Sequence, residues 1–144
     1  MSGIYDDRGI RFEYPADWEL DVTDDGPRTT VTVQSPEGLA FALVTTDEGR
    51  PEPADLADEA LAALEDEYPT LDAVPALETI DGHHAVGHDV EFVSLDLNNA
   101  CAIRSYKTPR RTIFVLAQWS DDLAGEEAEE SLKALRRSLE ETDA

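Results

Sequence analysis

His83, His84 and His88 are the chain's three histidines, and they fall in one short segment. This is the nearest approach in the sequence to a metal or acid–base constellation. On an extended strand His84 and His88 share a face and His83 takes the other. Residues four apart along a strand are about 13 Å from each other, too far to chelate one ion. Zinc needs further nitrogen, sulfur or oxygen ligands in tight geometry, and none is spaced to supply them. Val86, Val90 and Phe92 lie on the face of His84 and His88, so the group reads as packed or hydrogen-bonded histidines.

Asp121, Asp122, Glu126, Glu127, Glu129 and Glu130 could gather a cation, but acid at a helix start is also what the helix dipole favours. The serines lack a Gly-x-Ser-x-Gly setting, and the chain has neither a Gly-x-Gly-x-x-Gly turn nor a phosphate-loop lysine. Cys101 is the single cysteine and lies in a strand-like run, as a packed thiol does. The residues thus assign no catalytic, metal or cofactor role. One segment stands out by contrast: Arg104-Ser105-Tyr106-Lys107-Thr108-Pro109-Arg110-Arg111 is basic and free of acid. It falls at a hairpin turn and is expected to be exposed. Either neighbouring carboxylates neutralise it, or Arg104, Lys107, Arg110 and Arg111 meet an acidic partner or a second copy of the chain.

The elements that must position these residues follow from periodicity. Ile10, Phe12 and Tyr14 alternate with Arg11 and Glu13 until Pro15 ends the ladder, and Trp18 restarts an inward face with Leu20 and Val22. Thr29 to Ser35 and Leu39 to Thr45 continue a meander. The second is apolar on both sides, which predicts cover on both sides of the sheet. Pro53 opens a helix carrying Leu56, Ala57, Ala60, Leu61 and Leu64 to Tyr68, where Pro69 stops it. Strand character returns at Ala76 to Ile80, His84 to Val93, Ala100 to Lys107 and Thr112 to Trp119. A closing helix from about Gly125 to Glu141 buries Ala128, Leu132, Leu135 and Leu139, with Glu129–Lys133 and Arg136–Glu140 as pairs one turn apart. The first few residues and Thr142 to Ala144 are expected to be loose. The 144 residues read as a single domain, 1–144, with one core.

Thirty-three acidic residues face 11 basic ones, for a net charge of -22. A surface so rich in carboxylate suits molar salt, where the Debye length shrinks to about 3 Å and repulsion is screened. It disfavours nucleic acid and anionic lipid as partners. Neither a signal peptide nor a membrane span is visible, which places the expectation in the cytoplasm.

The order ββββ-α-βββ-α, opened by Phe12-Glu13-Tyr14-Pro15-Ala16-Asp17-Trp18 and carrying Ile80-Asp81-Gly82 with Ala85, resembles the PsbP-like superfamily. Its members include the photosystem II extrinsic subunit PsbP, Ran-binding nucleotide-release factors, and bacterial and archaeal proteins of unassigned role. The resemblance implies an α+β fold, an α/β/α sandwich in which helices flank a twisted antiparallel sheet of about seven strands. The acidic composition, with Lys107 and Lys133 the only lysines, resembles that of proteins of salt-loving archaea and suggests a haloarchaeal-type member. An NTF2-like cone is the alternative, disfavoured because such domains usually begin with helices. The resemblance carries no site, because fold alone does not license function. The expected function is a non-catalytic protein-interaction domain, acting on an unknown protein partner or as a homo-oligomer and needing no cofactor. The alternative is a small-molecule or metal-dependent enzyme with a pocket near His84, His88 and Tyr106.

Overall fold

Alternation at Ile10, Phe12 and Tyr14 does make a strand, but in a sheet of its own. The computed structural model describes residues 2–142. Strands β1 (Ser2–Asp7), β2 (Ile10–Pro15) and β10 (Glu140–Glu141) form a three-stranded antiparallel sheet in the order β1-β2-β10. The other sheet has seven antiparallel strands in the order β3-β4-β5-β9-β8-β7-β6. They are β3 (Glu19–Asp25), β4 (Arg28–Gln34), β5 (Ala40–Asp47), β6 (Asp72–Ile80), β7 (His83–Ser94), β8 (Leu97–Lys107) and β9 (Thr112–Ser120). Helices α1 (Pro53–Glu67) and α2 (Gly125–Ser138) complete an α+β fold with a sheet flanked by helices. Two expectations are corrected. Ser2–Asp7 are a strand, not a loose end, and the four strand-like segments between the helices are four separate strands instead of three; of the expected loose tail, Asp143 and Ala144 lie outside the described residues.

Period-two alternation sorts the seven-stranded sheet into two faces. On one, Val31, Val33, Ala40, Ala42, Val44, Val115, Ala117 and Tyr106 pack with Ile10 and Phe12 of β2 and with Ala128, Leu132 and Leu135 of α2. On the other, Val90, Phe92, Cys101 and Ile103 pack under Ala57, Leu61 and Leu64 of α1. That helix lies over β7, β8 and β9. It leaves Phe41 and Leu43 of β5 half-buried, so the cover predicted for both sides of β5 is complete on one side only.

Helix α2 stops at Ser138, short of the expected Glu141. Ser138 Oγ donates to Leu135 O at 2.8 Å and accepts from Glu13 N at 2.8 Å, which ties the end of the helix to β2. Leu139 then turns extended, still 1% exposed, and Glu140 and Glu141 pair with Arg11 and Ile10. The break also separates the expected Arg136–Glu140 pair: Arg136 turns inward to Glu78, and Glu140 meets Arg11 at 3.7 Å. Glu129–Lys133 forms as expected, at 3.0 Å.

Candidate binding groove

The basic segment is largely consumed by the fold. The Arg104 side chain is 7% exposed; its Nε donates to Glu78 Oε1 at 2.9 Å and its Nη2 to Asp89 Oδ1 at 2.8 Å. Glu78 also accepts from Arg136 Nε at 3.0 Å. Burial alone would raise the Glu78 carboxyl; the hydrogen bond and charge of Arg136, with those of Arg104, outweigh it and hold the group below its usual range.

Arg111 is 4% exposed and donates through Nη1 to Gly9 O at 3.0 Å and Glu141 Oε2 at 2.8 Å. Gly9 is required twice over at that contact. Its φ is +87°, and a Cβ would stand 2.6 Å from Arg111 Nη2. Lys107 donates to Glu52 Oε1 at 2.7 Å, and this hydrogen bond, with the lysine's charge, lowers the Glu52 carboxyl. Arg110 alone of the four has an exposed side chain at the turn. The expectation that the whole segment is exposed is therefore corrected: Arg104 and Arg111 became internal counter-ions because β6 of the larger sheet delivers Glu78 to the first and β10 of the smaller sheet delivers Glu141 to the second.

The histidines divide as the strand period requires. His83 stacks on Tyr106 with ring centroids 5.3 Å apart, on the sheet face covered by α2. His84 and His88 belong to the opposite face, where His88 Nε2 lies 3.0 Å from Asp58 Oδ1 of α1. A pocket shared by His84, His88 and Tyr106 is thus ruled out by the sheet between them. Among the described residues no group of three or more His, Cys, Asp or Glu is placed to hold a metal ion. Cys101 is 2% exposed, and burial pushes its thiol up to about 12.

What the structure does assemble is a groove along α2. One cleft of ≈ 320 Å³ is lined by Ser2, Glu13, Tyr14, Pro15, Ser131, Ala134 and Ser138. A second of ≈ 300 Å³ continues past Trp18, Pro36 and Ala128 to Leu123, and the two meet at Pro15 and Ser131. The floor is the small-residue face of α2, and the walls are aromatic rings and prolines. Tyr14 is held where Gly3 of β1 has no side chain: a Cβ there would stand 2.7 Å from the ring. Trp18 N donates to Pro15 O at 3.0 Å, closing the turn that carries the indole. Pro36 sits on a hairpin fixed by Ser35, whose N donates to Ala40 O at 2.9 Å and whose Oγ accepts from Ala40 N at 3.1 Å.

Four carboxylates, Glu13, Asp17, Glu37 and Glu127, line the groove, and no cationic side chain does. None of the four is in an ion pair among the described residues. Sequence reasoning used Tyr14-Pro15-x-x-Trp18 as a mark of fold and missed it as a wall. The available signal was the small-residue row Ala124, Ala128, Ser131, Ala134 and Ser138 at helical spacing, beside the apolar row that enters the core.

The same topology recurs in solved structures. The chain is similar to cyanobacterial PsbP (CyanoP) from Synechocystis sp. PCC 6803, with a TM-score of 0.64, 12% identity, and 97% of this chain and 92% of that one covered. The fold is PsbP-like. LpqN of Mycobacterium tuberculosis, described as involved in cell envelope biogenesis, matches with a TM-score of 0.62 and 16% identity over 99% of this chain and 91% of LpqN. A Bacteroides thetaiotaomicron protein matches with a TM-score of 0.59 and 12% identity over 93% of this chain, which spans only 45% of that longer one. No family model matches the chain, and no curated protein is similar to it in sequence. No helix among the described residues is long and apolar enough to cross a membrane.

Proposed function

We propose that the chain is a non-catalytic interaction domain that captures a segment of a partner protein in the groove along α2. One observation carries this reading: the two clefts adjoin at Pro15 and Ser131, and half-buried Tyr14, Pro15 and Trp18 wall them together with exposed Pro36. Such preformed concave surface, with aromatic and proline walls beside convergent carboxylates and hydroxyls, can hold an extended segment by contact and by hydrogen bonds together. Filling the junction tests it. Ser131 is half-buried on the floor, so Ser131→Phe should block the groove while changing stability by less than about 1 kcal/mol. Peptides selected from a random decapeptide library should shift the Trp18 indole resonance and bind the variant at least tenfold more weakly, about 1.4 kcal/mol. Selection yielding no binder, or binders indifferent to Ser131→Phe, would sink the proposal.

We infer also that the domain works in a salt-adapted, archaeal-type cytoplasm. The support is the net charge of -22 with unpaired carboxylates such as those of the groove. The melting temperature should rise by about 5–10 °C, on the order of 2 kcal/mol, from dilute buffer to molar potassium chloride, because screening relieves the excess repulsion. A flat or falling value would count against that inference.

A further inference from the structure

We propose that the groove's occupant is a cationic, proline-rich segment of a partner protein, bound extended in the polyproline II conformation. This rests on the reading of the groove as the binding site and names its ligand class. Size argues first. From Ala124 to Ser138 the floor runs about 21 Å at 1.5 Å per residue, the span of roughly seven polyproline II residues at about 3.1 Å each.

Backbone chemistry argues second. An added β-strand needs a ladder of free N–H and C=O groups, yet Glu13 N on the groove side of β2 is already bonded to Ser138 Oγ and Pro15 has no N–H. Polyproline II needs no ladder and is recognised by aromatic-lined grooves, here Tyr14 and Trp18 with Pro15 and Pro36 alongside. Charge argues third. Glu13 stands at one end, Asp17 and Glu37 on the wall, and Glu127 on the helix, each without a counter-ion among the described residues. Arginine or lysine flanking a proline core would bring counter-ions to these carboxylates at contact distance, as charge-assisted hydrogen bonds.

The test uses three capped heptapeptides against the whole protein: Arg-Ala-Pro-Pro-Leu-Pro-Arg, its analogue with both arginines replaced by glutamate, and its analogue with the prolines replaced by glycine. The first should bind at least tenfold tighter than either analogue, and its lead over the glutamate analogue should shrink in molar salt. The variant E13Q/D17N/E37Q/E127Q should lose that lead. The variant D25N/E65Q/D66N/E67Q, equal in net charge but altered away from the groove, should keep it. Equal binding of the arginine and glutamate peptides, equal loss in both variants, or binding by library-selected peptides that are neither basic nor proline-rich would overturn the ligand assignment while leaving the groove as the site. No binding by any peptide, selected or designed, would overturn both.

Discussion

Glu78→Ala is expected to destabilise the protein by about 3–5 kcal/mol, as removal of the anion from a buried ion-pair cluster does elsewhere. Glu78 is the shared acceptor of Arg104 and Arg136, whose side chains are 7% and 6% exposed. Without it Arg104 keeps Asp89 and two carbonyls, whereas Arg136 loses the acceptor of its Nε and already has a buried Nη1 with no partner. The sign is diagnostic. In a chain with a net charge of -22, taking away an average surface carboxylate should relieve repulsion and raise stability.

Glu78→Ala with Arg136→Met should recover part of the loss, because the stranded charge leaves with its partner. Acid gives a second reading. The folded carboxyl is held below its usual value of 4.5, so its contribution is complete above that pH and fades as pH falls through the lowered native value. The gap in urea midpoint between wild type and Glu78→Gln should therefore be widest from about pH 5 upward and close in stronger acid. A gap unchanged down to pH 3, or an alanine variant as stable as wild type, would refute the counter-ion role.

The adjacent arginines Arg110 and Arg111 should behave oppositely. Arg111→Glu is expected to cost about 3–5 kcal/mol, because a carboxylate would replace the buried cation facing Glu141 and strand the carbonyl of Gly9. Arg110→Glu, at an exposed position, should cost less than about 1 kcal/mol. Thermal melts of the two variants in one buffer decide it: similar small losses would show that Arg111 is not a structural tie. Neutral replacement of both residues at once would confound the two effects, so they are best changed singly.

The sequence made the fold legible where one residue type dictates one geometry. Pro15, Pro53 and Pro69 mark ends and starts, the alternation at Val31, Val33, Ala42 and Val44 marks an inward face, and Cys101 in a strand-like run is a packed thiol. It did not reveal that Ile10 to Tyr14 leave the main sheet, because alternation states which side is buried and not which strands are neighbours. Polarity misled at Arg104 and Arg111 for a related reason. Whether an arginine is solvated or buried depends on which carboxylate the tertiary fold brings beside it, and Glu78 and Glu141 are separated from them by 26 and 30 residues. The groove was invisible for the same cause: its helix, turn and hairpin become neighbours only after the sheets stack.

The seam between β5 and β9 joins Ala40 to Trp119 at one end and Asp47 to Thr112 at the other. Each remaining ladder of the seven-stranded sheet links strands that are consecutive in the chain, so β3-β4-β5 and β6-β7-β8-β9 are two meanders of hairpins. Hairpins close in about 1–10 μs, while a contact across a long intervening loop waits on a larger loss of chain entropy. Refolding should accordingly be governed by the docking of two preformed halves. Substitutions along the seam, at Val44 or Val115, would slow folding, and those at the outer hairpins would chiefly hasten unfolding.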